Sequence, residues 1–170
     1  MSQLDIQQVL SARYVTSQEA DKYTDQLRQN LGLDTKAQVA RLAIGRSLAM
    51  GKLPDIKIDS SGMAIPASSF FSSENIGAWV GLLHSQAITT DGQLLDSMDA
   101  LRNAIRAHWH RGAIALWDEW KSSDENYEKF IEALIRRSEM PDFAGKEDDS
   151  PNSNGGCLLY TSDAADERSS

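Results

Sequence analysis

Residues 104–117 read AIRAHWHRGAIALW, with two histidines, two tryptophans and one glycine in fourteen positions. Read for periodicity, Leu94, Met98, Leu101, Ile105, His108, Gly112 and Ala115 recur four and three apart. That spacing draws one continuous stripe along a helix. His108 lies on the stripe and His110 off it. Two histidines at i and i+2 point to different sides of a helix, so they cannot share one metal ion. His84 stands alone in another segment, and the single cysteine, Cys157, excludes a cysteine pair. No metal and no other cofactor is expected. His108 reads as a hydrogen-bonded core or interface histidine. Trp109, Trp117 and Trp120 read as buried area. Gly112 in mid-helix costs about 1 kcal/mol relative to alanine, which suggests a close helix approach or a kink.

The rest of the chain is organised around this stripe. Thr90-Asp-Gly-Gln93 has the form of a capping box and is expected to open the long helix. Thr16-Ser-Gln-Glu19 and Thr35-Lys-Ala-Gln38 have the same form and precede two shorter helices. The first carries Ala20, Tyr23, Leu27 and Leu31 and stops at Gly32. The second carries Val39, Leu42, Ala43 and Leu48 and stops at Gly51, with Pro54 at its exit. Residues 53–73, rich in serine, alanine and proline, read as a loop in which 56–58 could be extended. Residues 74–88 predict a short apolar helix with Ile76, Trp79, Val80 and Leu83 inward. Ser122-Ser-Asp-Glu125 predicts the cap of a last helix, with Asp124, Glu125 and Glu128 in its first turn. VLSARYVTS (9–17) has the β-branched and aromatic content of a short strand. The expected fold is all-α, a compact bundle of about five helices. A strand before the first helix would give a ribbon-helix-helix-like start, and a plain helix hairpin fits as well.

Residues 1–143 are expected to form one helical domain. Residues 144–170 change character: AGKEDDSPNSNGG has the bias of a disordered linker, and CLLYTSDAADE resembles a translated sequencing-library adapter. This tail is expected to be foreign to the fold. No apolar run approaches bilayer length and no secretion signal is visible, so a cytoplasmic location away from membranes is expected.

The net charge is −8, unevenly spread. Residues 1–58 hold eight Lys/Arg against six Asp/Glu, while residues 59–143 hold seven against thirteen. Lys22, Arg28, Lys36, Arg41, Arg46 and Lys52 fall in or just after the first two helices. Lys36 sits in a first turn, where free N–H groups already favour an anion and the dipole disfavours lysine. The first five are candidate contacts to nucleic-acid phosphates. They could equally be surface charges paired with Asp21, Asp25 and Asp34. No nucleophile elbow, P-loop or dinucleotide fingerprint occurs, and Asp118-Glu119 reads as a solvated helix face. A catalytic role is not expected.

Two stretches carry a family resemblance. LRQNLGLDTKAQVARLAIGRSLA (27–49) resembles the N-terminal signature of the DNA sulfur modification protein DndE family, through Gly32, Leu33 and Asp34 and then Arg41, Ala43, Ser47 and Leu48. RAHWHRG (106–112) resembles a later segment of that family, through Arg106, Ala107, His108, Arg111 and Gly112. The resemblance covers roughly residues 13–116. It implies a small helical, non-catalytic accessory protein of bacterial phosphorothioation, a defence-linked DNA modification. It also implies self-assembly to a homo-oligomer, with a tetramer suspected, and binding to double-stranded, nicked DNA alongside other phosphorothioation proteins. His108, Arg111 and Gly112 would then hold the fold or the oligomer together. Two rival readings remain: a ribbon-helix-helix repressor, and a protein-interaction scaffold that uses its acidic half.

Overall fold

In the computed structural model, residues 4–54 and 56–139 are described. The expectation for residues 144–170 lies outside them. A 25-residue helix, α6 (Met98–Ser122), forms the axis of the fold. At 1.5 Å per residue it is about 37 Å long. Its buried face runs Leu101, Ile105, His108, Trp109, Gly112, Ala113, Leu116 and Trp120, the predicted stripe with Leu116 in place of half-buried Ala115.

Against α6 lie α2 (Gln18–Asn30) and α3 (Lys36–Leu48), with α3 making the more extensive seam. The two form a hairpin turned at Gly32, whose φ of 65° is a conformation that glycine adopts without a Cβ penalty. Thr35 and Gln38 make the expected reciprocal capping box. The other box is displaced by one residue. Ser17, not Thr16, accepts from the Ala20 N–H and caps α2. Thr16 is buried and donates instead to the Arg106 carbonyl on α6.

Upstream, 9–17 is not one strand. Ile6–Ser11 is a short helix, α1, and only Arg13–Tyr14 is extended, as β1. β1 pairs antiparallel with β2 (Ile65–Pro66), with Tyr14 opposite Ile65. Its partner therefore comes from the same chain, whereas a ribbon-helix-helix unit needs a second copy. The segment read as a loop holds β2 and a one-turn helix, α4 (Ala67–Phe70). An aromatic cluster fixes both. Tyr14 meets Phe70 and Phe71 edge-on at 5.8 Å, and Phe70 meets Trp109 at 5.2 Å. Trp109 is fully buried and donates its ring N–H to Thr24 of α2 at 2.9 Å.

Helix α5 (Ile76–Gln86) runs into a π-helical turn, Ala87–Asp91, which Gly92 ends at φ 64°. The predicted box at 90–93 is therefore a helix end. The Thr89 and Thr90 hydroxyls turn back onto Ser85 and Gln86 carbonyls, a local bond that competes with continued helix. Ser97 caps α6 instead, and Leu94, expected on the stripe, is 64% exposed before it.

The last correction lies after α6. Asp124 and Glu125 both take φ 56°, which reverses the chain, and Asn126 accepts from the Lys129 N–H. Helix α7 is Tyr127–Glu139, so of the three carboxylates expected in its first turn only Glu128 is there. Phe130 anchors α7 edge-on against Trp120 at 5.6 Å. The described part of the chain is thus all-α apart from one two-residue ladder, as predicted. Among the described residues seven α-helices stand where about five were expected, because α1 and α4 are too short for periodicity to reveal.

Candidate functional site

The opening stretch is the seam between α6 and α3. A Cβ on Gly112 would overlap the Ala43 carbonyl group and come within 2.9 Å of its Cα. The two backbones touch there, so no larger residue fits. One turn away, His108 and Arg111 converge on Ser47. Arg111 Nε donates to the Ser47 hydroxyl at 2.8 Å, and its Nη2 donates to the carbonyls of Ser47 and Gly51 at 2.6 and 2.8 Å. Nη1 donates to the Lys52 carbonyl. A guanidinium over the last carbonyls of α3 sits at the negative end of its dipole.

The Ser47 hydroxyl, already accepting from Arg111, lies 3.0 Å from His108 Nδ1. His108 Nδ1 is the one acceptor among the described residues within reach of the Ser47 hydroxyl proton, and a hydroxyl donating to it assigns the imidazole proton to Nε2. Burial, with the Arg111 charge second, pushes the His108 pKa down to about 4, against the pull of Asp91. His110 is built in the same way: Nδ1 lies 2.7 Å from the Ser17 hydroxyl, which caps α2, and burial lowers its pKa too. Neither histidine faces a carboxylate ligand set, and among the described residues no group of His, Cys, Asp and Glu could hold a metal.

This predicts an acid-sensitive fold. An unfolded histidine protonates near 6.5, while native His108 refuses the proton until about 4. The unfolded state then binds more protons, so stability is complete above 6.5 and declines as pH falls through that window, by up to ~3 kcal/mol. Urea unfolding at pH 7, 5.5 and 4.5 measures it. NMR should show the His108 ring signals unmoved down to pH 5.5. A His108 titration near 6.5 would contradict the assignment.

The five candidate phosphate contacts have different environments. Lys22 is exposed and has no hydrogen-bond or ion-pair partner among the described residues. Lys36 Nζ lies 3.1 Å from Asp21 and 4.0 Å from Asp25, and Arg28 Nε lies 3.1 Å from Asp25. These four form one partly buried network on the α2–α3 hairpin, with Lys36 and Asp21 deeper than Arg28 and Asp25. Arg41 reaches the carbonyls of Ser69 and Phe70 at 2.8 and 3.0 Å, so it closes α4 and keeps its full charge. Arg46 is different. Its Nη2 and Nε lie 2.8 and 2.9 Å from one carboxylate oxygen of Glu119, a residue only 8% exposed. Glu119 also receives Arg137 of α7 at 2.8 Å. The expectation that Asp118-Glu119 is a solvated pair therefore holds only for Asp118. Position 119 continues the stripe by 3–4 spacing, and that was the available signal.

A family model described as DNA sulphur modification protein DndE matches residues 13–124. The chain belongs to the DndE family. No curated protein and no solved structure matches it. Membership places the chain among proteins of DNA sulphur modification. The DndE match takes in the α2–α3 hairpin and all of α6, hence the Gly112–Ala43 seam and the Arg111–Ser47–His108 cluster. It ends at the left-handed turn, so α7 lies beyond it. Among the described residues no helix is long and apolar enough to cross a membrane.

Proposed function

We propose that the chain is a non-catalytic accessory protein of DNA phosphorothioation, which grips duplex DNA by its phosphate backbone and works as a homo-oligomer beside the other phosphorothioation proteins. The observation that carries this reading is the positive charge left unneutralised within the DndE match. Lys22 has no partner among the described residues, and Arg41 is held only by neutral carbonyls. Arg28 and its partner Asp25, each about one-third exposed, can part for phosphate at small cost, whereas Lys36 would have to leave Asp21 in a more buried pair, 21% and 18% exposed. Arg46 is left out of the contact set, because withdrawing it would leave a buried carboxylate short of a partner. Such a surface needs charge and register, with no base readout. A repressor reading is not favoured, because β1 is two residues long and already paired with β2.

The test is fluorescence anisotropy of a labelled duplex, intact and singly nicked, across a salt series. Binding should weaken linearly in log–log form as salt rises, and should be tighter to the nicked duplex. Lys22→Gln and Arg41→Gln should each reduce the slope by about 1, with similar losses on unrelated sequences. No binding to either duplex at low salt would remove DNA as the direct ligand and favour a protein partner on the acidic half.

A further inference from the structure

A cleft of about 800 Å3 lies between the loop after α3, the π-helical turn and the first half of α6. Its volume is that of a site for a small organic ligand. Three cationic or donor groups line it with unused capacity. Lys52 is exposed, and its ammonium has no partner among the described residues. Arg106 holds the Asn103 side chain through Nη1 at 3.1 Å, and its Nη2 has no partner among the described residues and is free to donate into the cleft. His108 presents its Nε2–H, the proton having been placed there by the Ser47 hydroxyl, and Nε2 has no partner among the described residues. Asp91 is the one carboxylate among the described lining residues, so Lys52 and Arg106 leave the lining with an excess of one positive charge. Ile56, Leu95 and Ala104 supply apolar wall.

We propose that this cleft is a binding site for a small phosphorylated ligand of mononucleotide size. A phosphate group offers several acceptor oxygens and the negative charge that Lys52, Arg106 and His108 lack. The volume is far larger than one phosphate needs, and the apolar wall accommodates a flat ring. Asp91 provides the acceptor that ring N–H groups require. None of Lys52, Asp91 or Arg106 belongs to the proposed DNA-contact set, so the site stands whether or not that set binds DNA.

Isothermal titration of the full chain with the four deoxynucleoside monophosphates, the matching nucleosides and inorganic phosphate tests this. At least one monophosphate should bind roughly tenfold or more tightly than its nucleoside and than phosphate. Arg106→Gln should weaken that binding at least tenfold, with an unchanged circular dichroism spectrum and unchanged duplex binding. Ala104→Phe should block it by filling the cleft. If that variant fails to fold, Arg106→Gln decides alone. Equal affinity for phosphate and the monophosphates, an adventitious ion only, would overturn the proposal. So would no binding at all, or binding that Arg106→Gln leaves untouched.

Discussion

Gly112→Ala is expected to destabilise the protein by more than about 3 kcal/mol, the top of the usual range for an overpacked core. The added methyl group would meet the Ala43 carbonyl, a backbone group that no rotamer change can move aside. Relief requires α3 and α6 to separate along their seam. Separation would pull Arg111 from the carbonyls of Ser47 and Gly51 and His108 from the Ser47 hydroxyl. It would also open the Phe70–Trp109 contact beneath. The natural control is Gly45→Ala on α3, where an added Cβ meets nothing within 4 Å. That change should stabilise by roughly 0.5–1 kcal/mol through helix propensity alone. Urea titrations followed by tryptophan fluorescence measure both. If Gly112→Ala unfolds within 1 kcal/mol of wild type, backbone contact at this position does not hold the seam.

The same glycine shows how much could be read from the chain. Its cost in mid-helix pointed to a close approach, and the stripe through Leu101, Ile105 and His108 fixed the face on which that approach occurs. Helical periodicity reports which face is buried, so the core of α6 and the hairpin before it were legible. Helix starts were legible only where a box was unambiguous. Thr35–Gln38 was, because Gly32 had already ended the preceding helix. Thr90–Gln93 was not, because hydroxyls bond backwards at a helix end as readily as they cap a beginning. β1 and β2 lie 51 residues apart and pair over two residues, so no local pattern announces their ladder. The basic set was legible as residue types, but its partners were not. Arg41 and Arg46 are five residues apart in one helix, yet one meets neutral carbonyls and the other a buried carboxylate, and only tertiary packing separates those outcomes.

That difference leads to the second large effect. Glu119→Ala is expected to cost about 3–5 kcal/mol, the range for breaking a buried ion pair by removing one member. Glu119 is 8% exposed and Arg46 side-chain exposure is 17%, so solvent cannot replace the lost carboxylate for Arg46 without rearrangement. Arg137 contributes much less, since it is 58% exposed and regains water when released. Two further measurements separate the pair from its burial. Replacing both members, with Arg46→Met and Glu119→Leu together, should recover most of the loss, because an apolar pair has no stranded charge. Arg137→Gln alone should cost under about 1 kcal/mol and loosen only the C-terminal end of α7. The DNA titration supplies the functional counterpart. In wild type Arg46 is held by Glu119, so Arg46→Gln should leave the salt slope unchanged, whereas Arg41→Gln lowers it by about 1. Should Glu119→Ala prove as stable as wild type and bind duplex more tightly, Arg46 would be free to leave its carboxylate. It would then belong with Lys22 and Arg41 among the phosphate contacts, as its place in the basic third of the sequence first suggested.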